Sequence, residues 1–186
     1  MTERSVRTAA GFSLIEMVAT IVILSIALVG ISSMVGLGAS NSANTLLETR
    51  AMALGESYLD EIMNRRYDER SAVSGLNPCF GLVGGDRCTD EDDFGADGGE
   101  NSRDRFDDVD DYHLLAEGDG ESTAIQDAEG LDRADYANFH VAVSVRYAGD
   151  DAFLGMDETA AKLITVTVTT RDQDEGWKYS VYRGNY

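Results

Sequence analysis

Apolar residues run almost without interruption over residues 12–39, where Ile, Val, Leu, Met and Ala are broken only by Glu16 and by small residues such as Gly30, Ser32, Ser33, Gly36 and Gly38. A bilayer core needs about 20 apolar residues in a helix, so this segment predicts a membrane helix. Its small residues would let a neighbouring helix approach closely. Beyond Asn41 the pattern becomes periodic: Leu47, Ala51, Leu54, Tyr58 and Ile62 recur at steps of three or four, with Glu48, Arg50, Glu56, Asp60 and Glu61 between them. That spacing predicts an amphipathic helix over residues 40–67. No proline interrupts residues 12–67, so the two helices read as one, with Gly55 and Ser40-Asn41-Ser42 as its weakest points.

Asn77-Pro78-Cys79 holds the chain's one proline and marks a turn. Period-two alternation of β-branched and aromatic residues then predicts strands over residues 139–147, 163–171 and 177–182. Val141, Val143, Val145 and Tyr147 would share one face, as would Ile164, Val166 and Val168. Residues 172–176 read as a hairpin turn between the last two strands. The expected architecture is α+β, with a long N-terminal helix whose outer half packs on a small C-terminal antiparallel sheet. The expected division is residues 1–11 ahead of the apolar segment, a membrane helix at 12–39, an amphipathic helix at 40–67, and a globular head at 68–186. That head contains an acidic loop at 86–111 and the sheet at 139–182.

Composition narrows what such a chain can do. Its 186 residues leave room for one modest soluble domain beyond the membrane helix. A net charge of -19 hydrates that domain and repels nucleic acid and anionic lipid headgroups, leaving divalent cations and basic protein surfaces as partners. Residues 86–111 hold twelve acids against Arg87, Arg103 and Arg105, a block that repels itself unless cations bind it. Calcium takes about six to eight hard oxygen ligands, so Asp93, Asp97, Asp107 and Asp108 are candidate ligands, with Asp92, Glu100, Asp110 and Asp111 nearby. None of these acids falls in EF-hand spacing, and a solvated loop is the plainer expectation. The stretch from Phe106 to His113 also reads as an anchor whose aromatics pack while its acids face outward. His113 and His140 are the only histidines, and neither G-x-S-x-G nor H-E-x-x-H occurs, so an enzyme is not expected and no cofactor is required.

Glu16 is the chemically pointed residue. It is the last charge before Glu48, with 31 uncharged residues following it, and a lone carboxylate at a membrane helix is costly enough to imply a function. Together with Gly11-Phe12-Ser13-Leu14-Ile15 it resembles the type IV prepilin signature. A secretory signal would be cut beyond its apolar region, after small residues, whereas Thr8-Ala9-Ala10 precede it. The resemblance implies a leader at residues 1–11, cleavage after Gly11 and methylation of Phe12 by a prepilin peptidase/methylase. It also implies pairing of Glu16 with the free amine of a neighbouring pilin or pseudopilin, a buried pair that fixes register. Arg4 and Arg7 against Glu3 predict a cytoplasmic N-terminus, an inner-membrane single pass and a periplasmic head that enters a pilus on assembly.

In that oxidising setting Cys79 and Cys88 are expected to form a disulfide around eight glycine-rich residues, and their spacing gives little support to a metal site. The segment at residues 50–63 and the Phe106 to His113 stretch look like the minor pilins of the mannose-sensitive haemagglutinin (MSHA) pilus. Ser33 stands where many major pilins have a kinking proline, which favours a minor subunit. A minor pseudopilin of a type II secretion system shares the same leader, acid and helix. A reading of another class is a single-pass anchored module binding calcium or another ligand.

Overall fold

The computed structural model describes residues 11–71, 78–79, 87–118, 124–151, 153–171 and 173–186, with backbone alone described at 35–41 and 173–175. The expected leader therefore lies outside the described residues except for Gly11. The chain divides into two compact units, Met1–Leu47 and Glu48–Tyr186, and helix α1 (Leu14–Met63) contributes to both. Neither Gly55 nor the Ser40-Asn41-Ser42 patch breaks the helix.

In the first unit the 21-residue window Leu14–Met34 is long and apolar enough to cross a membrane, and none of it is buried. A helix apolar on all sides has no hydrated face to offer. Its hydroxyls are also consumed internally. Thr20 donates to the Met17 carbonyl at 2.8 Å, Ser25 to Ile21 at 2.7 Å, Ser32 to Leu28 at 2.9 Å and Ser33 to Val29 at 3.0 Å. That back-bonding removes the unsatisfied donors that hydrocarbon penalises.

The second unit is built on one antiparallel sheet, β1 (Ala116–Glu117), β2 (Phe139–Tyr147), β3 (Ala161–Thr170) and β4 (Gln173–Gly184), in that spatial order. Val141, Val143 and Val145 lie directly across from Val168, Val166 and Ile164, and all six are buried. Ala51, Leu54, Tyr58 and Ile62 of α1 are fully buried as well, so the amphipathic face closes the core over this sheet. Burying each large apolar side chain contributes roughly 1.5–3 kcal/mol. Gly55 has a packing reason: a Cβ built there would sit 2.3 Å from Tyr179 Cδ2, on β4. The aromatic ring occupies the volume a side chain would need.

Two expectations about the sheet need correction. The connection between β3 and β4 is residues 171–172 rather than 172–176, since Thr170 already pairs with Gln173. A register shift between Val168 and Thr170 absorbs the extra residues, and Gly176 fits there because a Cβ would meet the Val168 carbonyl oxygen at 2.6 Å. The acidic, glycine-containing tip is thus a bulged hairpin end; Asp172 itself lies outside the described residues. The second correction is an additional strand, β1, whose Ala116 and Glu117 pair with Ala142 and Val141.

Candidate functional site

The N-terminal residues of the motif sit at a well-formed helix start. Ser13 precedes the first helical residue, and the Glu16 N–H donates to the Ser13 carbonyl at 3.1 Å and to its Oγ at 3.4 Å. Ser13-x-x-Glu16 has the spacing of a capping box, a local signal that the prepilin resemblance overlaps. Glu16 lies in the first turn, where the positive end of the helix dipole favours a carboxylate by about 0.3–1 kcal/mol. Gly11, Phe12 and Glu16 are all exposed, with Phe12 79 % accessible. Gly11 and Phe12 lie ahead of the helix, and Glu16 stands four positions after Phe12.

Within the head, the acidic region is organised around two buried cations. Arg103 donates to Glu61 Oε2 at 2.5 Å, to Glu61 Oε1 at 3.0 Å, to Glu117 Oε2 at 3.0 Å and to the Gln126 carbonyl at 2.9 Å. Its guanidinium lies 4.0 Å from the centroid of the Tyr58 ring, and the Tyr58 hydroxyl donates to Glu117. Tyr112 donates to Glu61 Oε1 at 2.7 Å. Burial pushes the Tyr58 and Tyr112 hydroxyls well above the ordinary phenol range, so both stay protonated as donors. One arginine thus ties α1, the loop and β1 together.

The second cation is Lys162, at the start of β3, with no exposed side-chain surface. Its Nζ lies 2.6 Å from Asp110 Oδ1, 2.7 Å from the Tyr67 carbonyl and 3.4 Å from Asp68 Oδ2. Neither centre was read from the sequence. Lys162 left a signal, for it has the same parity as Ile164, Val166 and Val168 and so falls on the apolar face. Arg103 left none, because its partners lie 42 residues earlier and 14 later, in an excess of acids.

The expectation that acids between Phe106 and His113 face outward is overturned. Asp108, Asp110 and Asp111 are buried along with Phe106, Val109 and Tyr112. Asp108 Oδ1 accepts the Asp110 and Asp111 N–H groups at 2.9 and 3.2 Å, while Asp111 Oδ2 accepts those of Asp107 and Asp108 at 2.8 and 3.0 Å. The carboxylates replace backbone partners that a tight turn cannot supply, which is why they go inside. Burial, with Asp110 next to it, raises the Asp108 carboxyl to about 9, and burial with the Glu100 side chain raises Asp111 to about 7.

The four candidate calcium ligands are not brought to one place. Asp107 lies near Asp108 and Glu69 in one grouping and near Glu100 and Asp111 in another, but neither Asp93 nor Asp97 joins them among the described residues. Asp93 and Asp97 are exposed, and Asp107 is paired with Arg66, which also holds Glu69 at 2.7 Å. Cys79 and Cys88 form a disulfide, and both sulfurs are covered by Asn185, whose Nδ2 donates to the Cys79 carbonyl at 2.8 Å. Residues 80–86, inside that ring, lie outside the described residues.

The sequence model of the prokaryotic N-terminal methylation motif matches residues 6–32. The match takes in Gly11, Phe12, Glu16 and most of the apolar window, and it supports a type IV pilin- or pseudopilin-like subunit, a structural role rather than an enzymatic one. It implies processing by a prepilin peptidase and assembly with other pilins, and with the apolar helix it fits membrane anchoring. No curated protein and no solved structure matches the chain.

Proposed function

We propose that the chain is a minor subunit of an MSHA-type type IV pilus. It is cleaved after Gly11, methylated on Phe12 and drawn into the fibre by the pairing of Glu16 with a neighbouring subunit's terminal amine. The observation that carries this reading is the coincidence of the methylation-motif match at residues 6–32 with a helix that starts at Leu14, capped by Ser13, bearing Glu16 in its first turn. Before assembly the head faces the periplasm and Arg4 and Arg7 stay cytoplasmic. The unbroken helix at Ser33 supports a minor rather than a major subunit, because Ser33 keeps its backbone ladder and adds a 3.0 Å bond to Val29. The motif is equally compatible with a minor pseudopilin of type II secretion, and the deletion phenotype separates the two: lost surface fibres for one, blocked enzyme secretion for the other.

Glu16→Ala tests the assembly step. The variant is expected to be cleaved and held in the membrane but absent from sheared fibres. Incorporation at the wild-type level would rule out the pairing, whereas absence of the wild-type chain itself from sheared fibres would leave a single-pass anchored module.

A further inference from the structure

The Lys162 centre brings two carboxylates to one fully buried amine. Lys162 and Asp68 have no exposed side-chain surface and Asp110 has 5 %. The Lys162 nitrogen is within 2.6 Å of Asp110 Oδ1, and a second carboxylate, Asp68, reaches the same nitrogen at 3.4 Å. Asp68 is held in place by the Thr89 N–H at 3.0 Å, the Arg70 N–H at 3.1 Å and the Thr89 hydroxyl at 3.3 Å. Three rings surround the nitrogen, with Tyr67, Phe94 and Tyr147 centroids at 4.6, 4.8 and 5.4 Å. In water an ammonium and a carboxylate stay apart as hydrated ions. Here both have lost that hydration, so joining them removes one desolvated ion pair, while Asp68 keeps the hydrogen bonds of Thr89 and Arg70. The fold also fixes nucleophile and acyl carbon side by side, replacing a bimolecular encounter with an intramolecular one.

We propose that Lys162 and Asp110 become joined by an amide bond between Nζ and Cγ, formed by the folded head itself with loss of one water. The Lys162 ammonium passes a proton to Asp110, leaving an amine and a carboxylic acid. The Nζ lone pair attacks Asp110 Cγ, forming the C–N bond. Asp68 takes a proton from that nitrogen and returns it to the Asp110 hydroxyl, which leaves as water. Asp68 ends as it began, no oxidant is consumed, and one positive and one negative charge disappear. The link would join positions 52 apart in sequence, between the turn Asp110–Tyr112 and β3, adding a covalent tie that reductant cannot open beside the Cys79–Cys88 disulfide.

The test is mass spectrometry of the full chain extracted from membranes in detergent, with the disulfide reduced. Allowing for N-terminal processing, the chain is expected to be lighter than its sequence by one water, and digestion should release a branched peptide joining the Asp110 and Lys162 segments. Lys162→Arg should restore the full mass. Asp110→Asn should still cross-link but lose ammonia, and Asp68→Asn should slow the reaction. A full-mass wild-type chain, or a deficit that survives Lys162→Arg as an aspartyl succinimide would, overturns the proposal. Should the variants fail to fold, the wild-type digest decides alone: recovery of both unbranched peptides without the branched one is equally contrary.

Discussion

The two units of this chain solve opposite problems with charge. Met1–Leu47 carries one described charge, Glu16, on a helix that buries nothing within the unit, whereas Glu48–Tyr186 buries Arg103, Lys162 and several acids in a small core. In the first, the Glu16 carboxylate has no side-chain partner among the described residues, which leaves it available to the neighbouring amine proposed above. In the second, each buried cation meets two carboxylates and at least one aromatic ring, so the charges act as internal fasteners. An acid's surroundings, more than its abundance, decide whether it speaks of function or of folding.

The largest loss of stability is expected at Arg103. Arg103→Ala leaves Glu61 and Glu117 buried without their counter-ion, and loss of one partner of such a pair typically costs about 3–5 kcal/mol. Urea unfolding of the detergent-solubilised chain should register that loss while the membrane helix keeps its far-ultraviolet signal. An unchanged midpoint would mean that the network is not a fastener.

A smaller effect is expected at Gly55. Gly55→Ala gains helix propensity but drives a methyl into the Tyr179 ring, and overpacking of this sort costs about 1–3 kcal/mol. Tyr179→Ala in the same chain should recover part of the loss, so the double-mutant coupling energy is the quantity to read.

The smallest effect concerns pH. Asp111 has an ordinary value of 3.8 and a folded value of about 7 because it is buried. The folded head therefore holds a proton that the unfolded chain has released throughout that window. Its contribution favours folding at the acid end and fades as pH rises towards about 7. Asp111→Asn keeps an acceptor oxygen for the Asp107 and Asp108 N–H groups while removing the titration, so its melting temperature should fall less than the wild type's between about pH 5 and pH 7. Parallel slopes would contradict the assignment.

Long regular patterns were legible in the sequence and long-range electrostatics were not. β2 could be placed residue for residue because five buried side chains alternate with less buried ones, and α1 by its buried positions at helical steps, although it ends at Met63 rather than at residue 67. β1 has only two residues and no pattern to read. The hairpin end differs from the expectation because Asp-Gln-Asp-Glu-Gly looks like a turn, whereas Gln173 to Gly176 form the bulged start of β4. The acids at Asp108 and Asp111 were expected in water because composition carries no information about which backbone N–H groups a turn leaves unpaired. Of the N-terminal site, the residues themselves were plain; the cap that Ser13 provides could also have been found from its spacing to Glu16.

The proposed processing makes Phe12 the first residue of the working protein. It is tested most directly by intact mass and N-terminal sequencing of the chain recovered from membranes of cells with and without a prepilin peptidase. A mature chain beginning at methylated Phe12 is expected only where the peptidase is present. A chain that retains residues 1–11 in both would contradict it.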